Sequence, residues 1–170
     1  VKEMTERTVT LKGNPLKLVG PDLQVGSPAP DFTVVGTDLS EASLADLQEG
    51  KTLLIAAVLS LDTPVCDEEC RRWSEELANL PETVKVVTIS CDLPFAQKRW
   101  CSEAQSTIEC YSDHRETSFG QAYGVLIGDL RVLARSIFVI GPDGTIKYAE
   151  IVPEVAEHPN YDAALAAVKG

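Results

Sequence analysis

No two cysteines of the chain are spaced Cys-x-x-Cys, and its two histidines, His114 and His158, lie far apart with no cysteine at finger-like spacing. A structural zinc site is therefore not expected. Basic residues are scarce: Lys and Arg number 15 against 26 Asp and Glu, a net charge of −11. Such a surface repels nucleic-acid phosphates and anionic lipid headgroups, so neither nucleic acid nor a membrane is expected as a partner. Long hydrophobic runs are missing too. The longest, Leu53 to Leu59, falls far short of the ~20 residues that span a bilayer, and no basic-then-apolar leader opens the chain. A cytoplasmic protein, not exported by a cleaved signal, is the expectation. Internal repeats and low-complexity segments are absent.

What is present suits one ordinary domain: 170 residues, 44% hydrophobic and 24% charged. A chain of this size buries roughly 70% of its extended surface on folding, so it needs no disulfide staples. Residues 1–3, ahead of Met4, are read as a cloning remnant and kept out of the fold argument. The five cysteines, Cys66, Cys70, Cys91, Cys101 and Cys110, are odd in number and fit a reducing compartment.

Thr8–Leu11 and Leu16–Val19 alternate around Lys12-Gly13-Asn14-Pro15 and predict an N-terminal β-hairpin over residues 8–19. A short strand over Phe32–Val35 and a helical turn over Ser43–Leu47 follow. The continuous apolar run Leu53–Leu59 predicts a central strand covered on both faces. Pro64 suits the first turn of a helix, along which Cys66, Cys70, Trp73, Leu77 and Leu80 recur at helical spacing. Strand Val84–Cys91, helix Pro94–Gln105, strand Thr107–Tyr111 and short helix Ser118–Tyr123 continue the pattern. Strands Val132–Ile140 and Thr145–Ile151 flank the turn Gly141-Pro142-Asp143-Gly144, and helix Tyr161–Val168 closes the chain. The class is α/β, a mixed central sheet flanked by helices.

Cys66 falls in the first turn of a helix that follows a central strand, where free N–H groups favour a thiolate. It also lies on the apolar line with Cys70 and Trp73, as a packed core cysteine would. Asp67, Glu68 and Glu69 put negative charge beside it, opposing a thiolate unless Arg71, Arg72 or a more distant cation offsets them. A low pKa by itself achieves little: taking a thiol from ~8.5 to ~6 raises its thiolate fraction at pH 7 about 30-fold, while lost nucleophilicity takes back roughly 13-fold. Fast chemistry therefore needs groups that stabilise the transition state.

Thr63 and Arg135 are candidates for that role. Thr63 shares a tight loop with Cys66, and its hydroxyl serves either as a hydrogen-bond partner of the sulfur or as a helix cap. Arg135 alternates with Leu133, Ile137 and Val139, so a guanidinium points where an apolar residue belongs. It is either functional or half of a structural ion pair. Cys101 lies on a polar helix face with Gln97, Lys98 and Gln105, opposite Ala96, Trp100 and Ala104, which suggests an accessible thiol. Cys91 and Cys110 end apolar strands and read as core fillers, and Cys70 reads as packed. Asp92, Glu109 and Asp113 read as solvated loop charges, and His114 and His158 as surface residues; nothing places a histidine beside Cys66 for a Cys-His hydrolase.

Ser60-Leu61-Asp62-Thr63-Pro64-Val65-Cys66 resembles the peroxidatic loop of peroxiredoxins. Asp92-Leu93-Pro94-Phe95-Ala96-Gln97, with Arg99-Trp100-Cys101, narrows the resemblance to the bacterial thiol peroxidases, atypical two-cysteine peroxiredoxins. It extends over nearly the whole chain, through Val25–Phe32, Ala134–Phe138 and Pro159–Leu165. The resemblance implies a thioredoxin-like fold with an added N-terminal hairpin. It implies Cys66 as peroxidatic nucleophile and Cys101 as resolving thiol, with Thr63 and Arg135 hydrogen-bonding the sulfur and the peroxide. Recycling by thioredoxin, a homodimer, and no metal, haem or flavin cofactor are also implied. Two departures stand out: Leu59 occupies the position, seven before the nucleophile, where peroxiredoxins usually carry proline, and Cys70 is outside the family pattern and competes as a resolving thiol. The rival readings are a general thiol-disulfide oxidoreductase, disfavoured without Cys-x-x-Cys, and a non-catalytic thioredoxin-like binding module.

Overall fold

The computed structural model describes residues 7–169; residues 1–3, read above as a remnant, lie outside it. In chain order the elements are β1 (Thr8–Leu11), β2 (Asn14–Val19), β3 (Thr33–Gly36), β4 (Glu41–Ser43), α1 (Leu44–Gln48), β5 (Thr52–Ala57), α2 (Pro64–Leu77) and β6 (Val84–Ser90). Then follow α3 (Pro94–Ala104), β7 (Glu109–Ser112), α4 (Ser118–Ala122), β8 (Leu126–Ile127), β9 (Val132–Leu133), β10 (Ser136–Ile140), β11 (Ile146–Ile151) and α5 (Tyr161–Lys169). A seven-stranded mixed sheet runs in the order β11-β10-β5-β6-β7-β3-β4, with β5, β6 and β7 parallel. The hairpin β1-β2 heads a separate four-stranded sheet with β8 and β9.

Every residue of β5 is buried, as its unbroken apolar run requires. Its side chains alternate between two cores: Leu53, Ile55 and Ala57 pack with Phe119, Tyr123 and Phe138, and Leu54 and Ala56 pack with Trp73, Ala164 and Val168. Helices α2 and α5 cover the second face, which puts the first turn of α2 at the carboxyl end of the central strand. Local signals act as read: Pro64 and Pro94 open α2 and α3, and a Ser43–Asp46 capping box starts α1.

The stretch Val132–Ile140 is not one strand. β9 pairs with β8 in the small sheet and β10 with β5 in the large one, and the chain passes from one sheet to the other at Ala134-Arg135. Both pieces are largely buried, so the apolar pattern reads the same whether the chain stays in one sheet or crosses to another. The hairpin is locked down locally. Arg7 donates to the carbonyls of Gly20, Pro21 and Gly124, and Gly124, at φ 68°, leaves no room for a side chain because a Cβ would sit 1.8 Å from the Pro21 carbonyl oxygen.

Asp113 corrects another expectation. It is buried, not solvated, and its carboxylate accepts from the backbone N–H groups of Phe119 and Gly120 at the start of α4. Burial outweighs those bonds and raises its pKa to about 6. A carboxyl raised in the folded state stabilises the fold below the unfolded pKa and loses that contribution as pH climbs through the folded one. The stability of the protein relative to Asp113→Asn should therefore fall as pH rises from about 4 to about 6, by up to about 3 kcal/mol. Urea unfolding of both proteins across that range checks the sign; a rising difference would contradict it.

Candidate active site

The loop from β5 into α2 is held by Asp92, which sequence reading placed among solvated charges. Its carboxylate accepts from Ser60 Oγ at 2.7 Å, Leu61 N at 2.8 Å and Ser90 Oγ at 2.8 Å. That clamp fixes where α2 begins. Pro64 then starts the helix, and Cys66 follows in its first turn with its sulfur fully buried.

Arg135, in the short link between β9 and β10, reaches this sulfur. Its Nη2 donates to Cys66 Sγ at 3.1 Å, Nη1 to Glu69 Oε1 at 2.6 Å and Nε to the Val155 carbonyl at 2.9 Å. The guanidinium thus plays both roles that the sequence left open, ion pair and sulfur ligand. Its partner Glu69, 0% exposed, also accepts from Trp73 Nε1 at 3.0 Å. Burial pushes the Glu69 carboxyl up in pKa, against the pull of Arg135 and the two hydrogen bonds. Sequence reading missed Glu69, counting it as a charge opposed to Cys66. The signal was there: Glu69 is three residues after Cys66 and four before Trp73, on the same buried stripe of α2.

The other acids after Cys66 are matched as well. Asp67 pairs with Arg71 at 2.9 Å and accepts from Trp100 Nε1 at 2.7 Å. Burial opposes its ionisation, but these bonds prevail and hold its pKa low. Glu68 meets His158 Nε2 at 3.1 Å.

Thr63 sits at the N-cap of α2, but its side chain makes no capping bond. Its hydroxyl donates to the Ser60 carbonyl at 2.8 Å, and among the described residues no hydrogen bond joins it to Cys66.

Cys101 lies on α3, beside α2, and both Cys66 and Cys101 are free thiols. The face of α3 differs from the sequence reading: Gln97 is buried, donating to Ser90 Oγ at 3.0 Å and the Tyr111 carbonyl at 2.8 Å, while Ala96 is half-buried. Its NH2 group finds acceptors at the ends of β6 and β7, while its buried Oε1 has no partner among the described residues. Cys101 is half-buried, and its Sγ lies 3.1 Å from Cys110 Sγ. Two contacts tie α3 to the start of α2: Trp100 to Asp67, and Arg99 Nη2 to Asp62 Oδ1 at 3.1 Å.

Of the other thiols, Cys70 is buried and Cys91 half-buried. Burial, with the Glu69 charge second, pushes the Cys70 thiol well up, and burial pushes Cys91 up to about 12.

The arrangement, then, is a helix-start cysteine facing a buried guanidinium, with a second cysteine on the next helix. A family model described as Redoxin matches residues 24–165. A thiol peroxidase of Listeria innocua is 53% identical over 95% of this chain and 97% of its own length. One of Bacillus subtilis is 51% identical over 95% of this chain and 96% of its own length. Among solved structures, a peroxiredoxin-like protein from Aquifex aeolicus superposes with a TM-score of 0.89 at 44% identity, covering 96% of each chain. A thiol peroxidase from Chromobacterium violaceum, at 22% identity over 98% of each chain and a TM-score of 0.83, shares the fold.

Proposed function

Because the chain belongs to the Redoxin family and is a thiol-dependent peroxidase of the peroxiredoxin type, we propose that Cys66 is its peroxidatic nucleophile and Cys101 its resolving thiol. One observation carries this reading above the rest: the charged N–H donor of Arg135 lies 3.1 Å from Cys66 Sγ in the first turn of α2. In the proposed step the Cys66 thiolate attacks the terminal oxygen of a hydroperoxide, an S–O bond forms as the O–O bond breaks, and the leaving oxygen takes up the proton that the thiol released and departs as water or an alcohol. Cys66 is left as a sulfenic acid. Arg135 donates to the sulfur and to the oxygens on which charge develops. Thr63 enters as the loop hydroxyl that can exchange its present partner, the Ser60 carbonyl, for the sulfur or the peroxide. The Cys101 thiolate then attacks the sulfenic sulfur, water departs, and a Cys66–Cys101 disulfide forms, which thioredoxin reduces.

Both cysteines sit in intact helices 35 residues apart (101 − 66), and Cys66 is sealed, so the cycle requires local opening of the first turn of α2, of α3, or of both. The Trp100–Asp67 bond clasps the two segments that must part. Trp100→Phe removes a hydrogen bond to a charged group, ordinarily about 1.5–3 kcal/mol, so disulfide formation after peroxide should speed up by about tenfold or more. Dimedone trapping of the sulfenic acid at early times checks this; a longer-lived sulfenic acid in Trp100→Phe would contradict it.

The direct test of the site is a disulfide map after one equivalent of peroxide, taken within the first turnover, with Cys66–Cys101 as the expected first bridge. A homodimer, a cytoplasmic location and the lack of nucleic-acid and membrane partners belong to the same reading. They are supported by the net charge of −11 and by the family resemblance. No helix among the described residues is long and apolar enough to cross a membrane.

A further inference from the structure

Cys110 fills core as expected, and it also lies beside a second thiol. β7 places it opposite Thr88 of β6 in the parallel ladder, and Thr88 Oγ1 lies 3.9 Å from Cys70 Sγ on α2. From above, α3 lays Cys101 Sγ 3.1 Å from Cys110 Sγ. Cys66, Cys70 and Cys110 share one buried cluster with Val58, Leu61 and Trp100, and Cys101 packs against it. Sulfur atoms from α2, β7 and α3 are thus gathered in and around a single apolar cluster. Cys101 and Cys110 also line an open groove of about 770 Å³, together with Lys98, Gln105 and Tyr111.

The two thiols are not equivalent. The hydrogen bond from Cys110 holds the Cys101 thiol below its ordinary pKa, and the same bond, with burial, pushes Cys110 well up. One sulfur is half-buried and the more easily ionised, and the other is buried and harder to ionise, the division of labour that a dithiol-disulfide couple needs.

We propose that Cys101 and Cys110 form a second redox pair, and that their disulfide, made by exchange, carries the oxidation away from Cys66 to the groove. The proposal rests on the Cys66–Cys101 bridge inferred above. In the exchange, Cys110 sulfur attacks Cys101 Sγ and forms the new S–S bond as the Cys66–Cys101 bond breaks. The bonding pair leaves with Cys66, which takes up the proton released by Cys110. One disulfide and one thiol enter, and one disulfide and one thiol emerge, so no further oxidant is required. Bond formation needs the 3.1 Å separation found when α3 is closed to shorten to about 2.05 Å. Cys66 returns to Arg135 and is ready for peroxide before any reductant arrives.

Two measurements decide it. In Cys66→Ser, diamide should generate a Cys101–Cys110 disulfide by peptide mapping; cysteines left unbridged there would overturn the pair without reference to peroxide. In the unmodified protein, one equivalent of peroxide should give Cys66–Cys101 first and Cys101–Cys110 later, with a free Cys66. Rapid uptake without reductant should then reach about two equivalents, against about one in Cys110→Ser or Cys110→Val, which should stop at Cys66–Cys101. A Cys66–Cys101 bridge that persists in the unmodified protein would overturn the exchange and leave the resolving assignment intact. Absence of that bridge from both Cys110 variants would instead overturn the resolving assignment, while the diamide result still reports on the pair by itself.

Discussion

Cys66→Ser protein is expected to consume peroxide no faster than buffer, a loss of at least about 10⁴-fold, because a neutral hydroxyl replaces the one sulfur that meets Arg135. The fold should survive. A serine oxygen fits the space of the sulfur, and Arg135 keeps its bonds to Glu69 and Val155. Peroxide consumption coupled to a thioredoxin system measures the loss, and an unchanged unfolding midpoint separates it from collapse. Cys101→Ser should behave differently, consuming about one equivalent and then stopping, since the sulfenic acid forms but finds no partner. Normal recycling in Cys101→Ser would hand the resolving role to another thiol. Turnover in Cys66→Ser would remove the basis of the whole assignment.

Arg135→Ala should be the most damaging change outside the cysteines, and it acts through two routes. It removes the donor at the reacting sulfur, which costs about 10²–10³ in the rate of oxidation where charge is stabilised by a fixed group. It also strands Glu69, fully buried with its acid already pushed up, and leaves the Val155 carbonyl without its Arg135 bond. Breaking one side of a buried pair typically costs about 3–5 kcal/mol. The sign of the pH effect follows: without its cation Glu69 favours the protonated form in the fold, so Arg135→Ala should be least handicapped in acid and lose stability as pH rises. The routes separate in the double variant Arg135→Met with Glu69→Gln. Stability should return, because no buried charge is left, while the oxidation rate stays low. Recovery of rate along with stability would make Arg135 a structural residue alone.

Much of this site was readable from residue types in order. Cys66 stood out by its place after a central strand and at the start of a helix, and Arg135 stood out as a charge in an apolar run. Glu69 was harder, since a carboxylate on a buried stripe reads as solvated until a cation is known to meet it. Asp92 and Asp113 were misread for the same reason. Their partners are backbone N–H groups and hydroxyls on other elements, with Phe119 and Gly120 the donors to Asp113. Gln97 turned inward because the ends of β6 and β7 offer it partners. The run Val132–Ile140 concealed a crossing between sheets because both destinations are apolar.

Periodicity, breakers and caps act over a few residues, and such local chemistry was enough to place most of the strands and helices, the hairpin and the start of the helix that carries Cys66. Pairings across long chain separations came only with folding. Arg135 reaches Cys66 and Glu69 across more than sixty positions, and even Cys101 and Cys110, nine positions apart, meet only because a helix lies over one particular strand. The physical reason is that a buried charge or thiol is defined by what surrounds it, and those neighbours are assembled by packing the sheet, not by the order of residues along the chain.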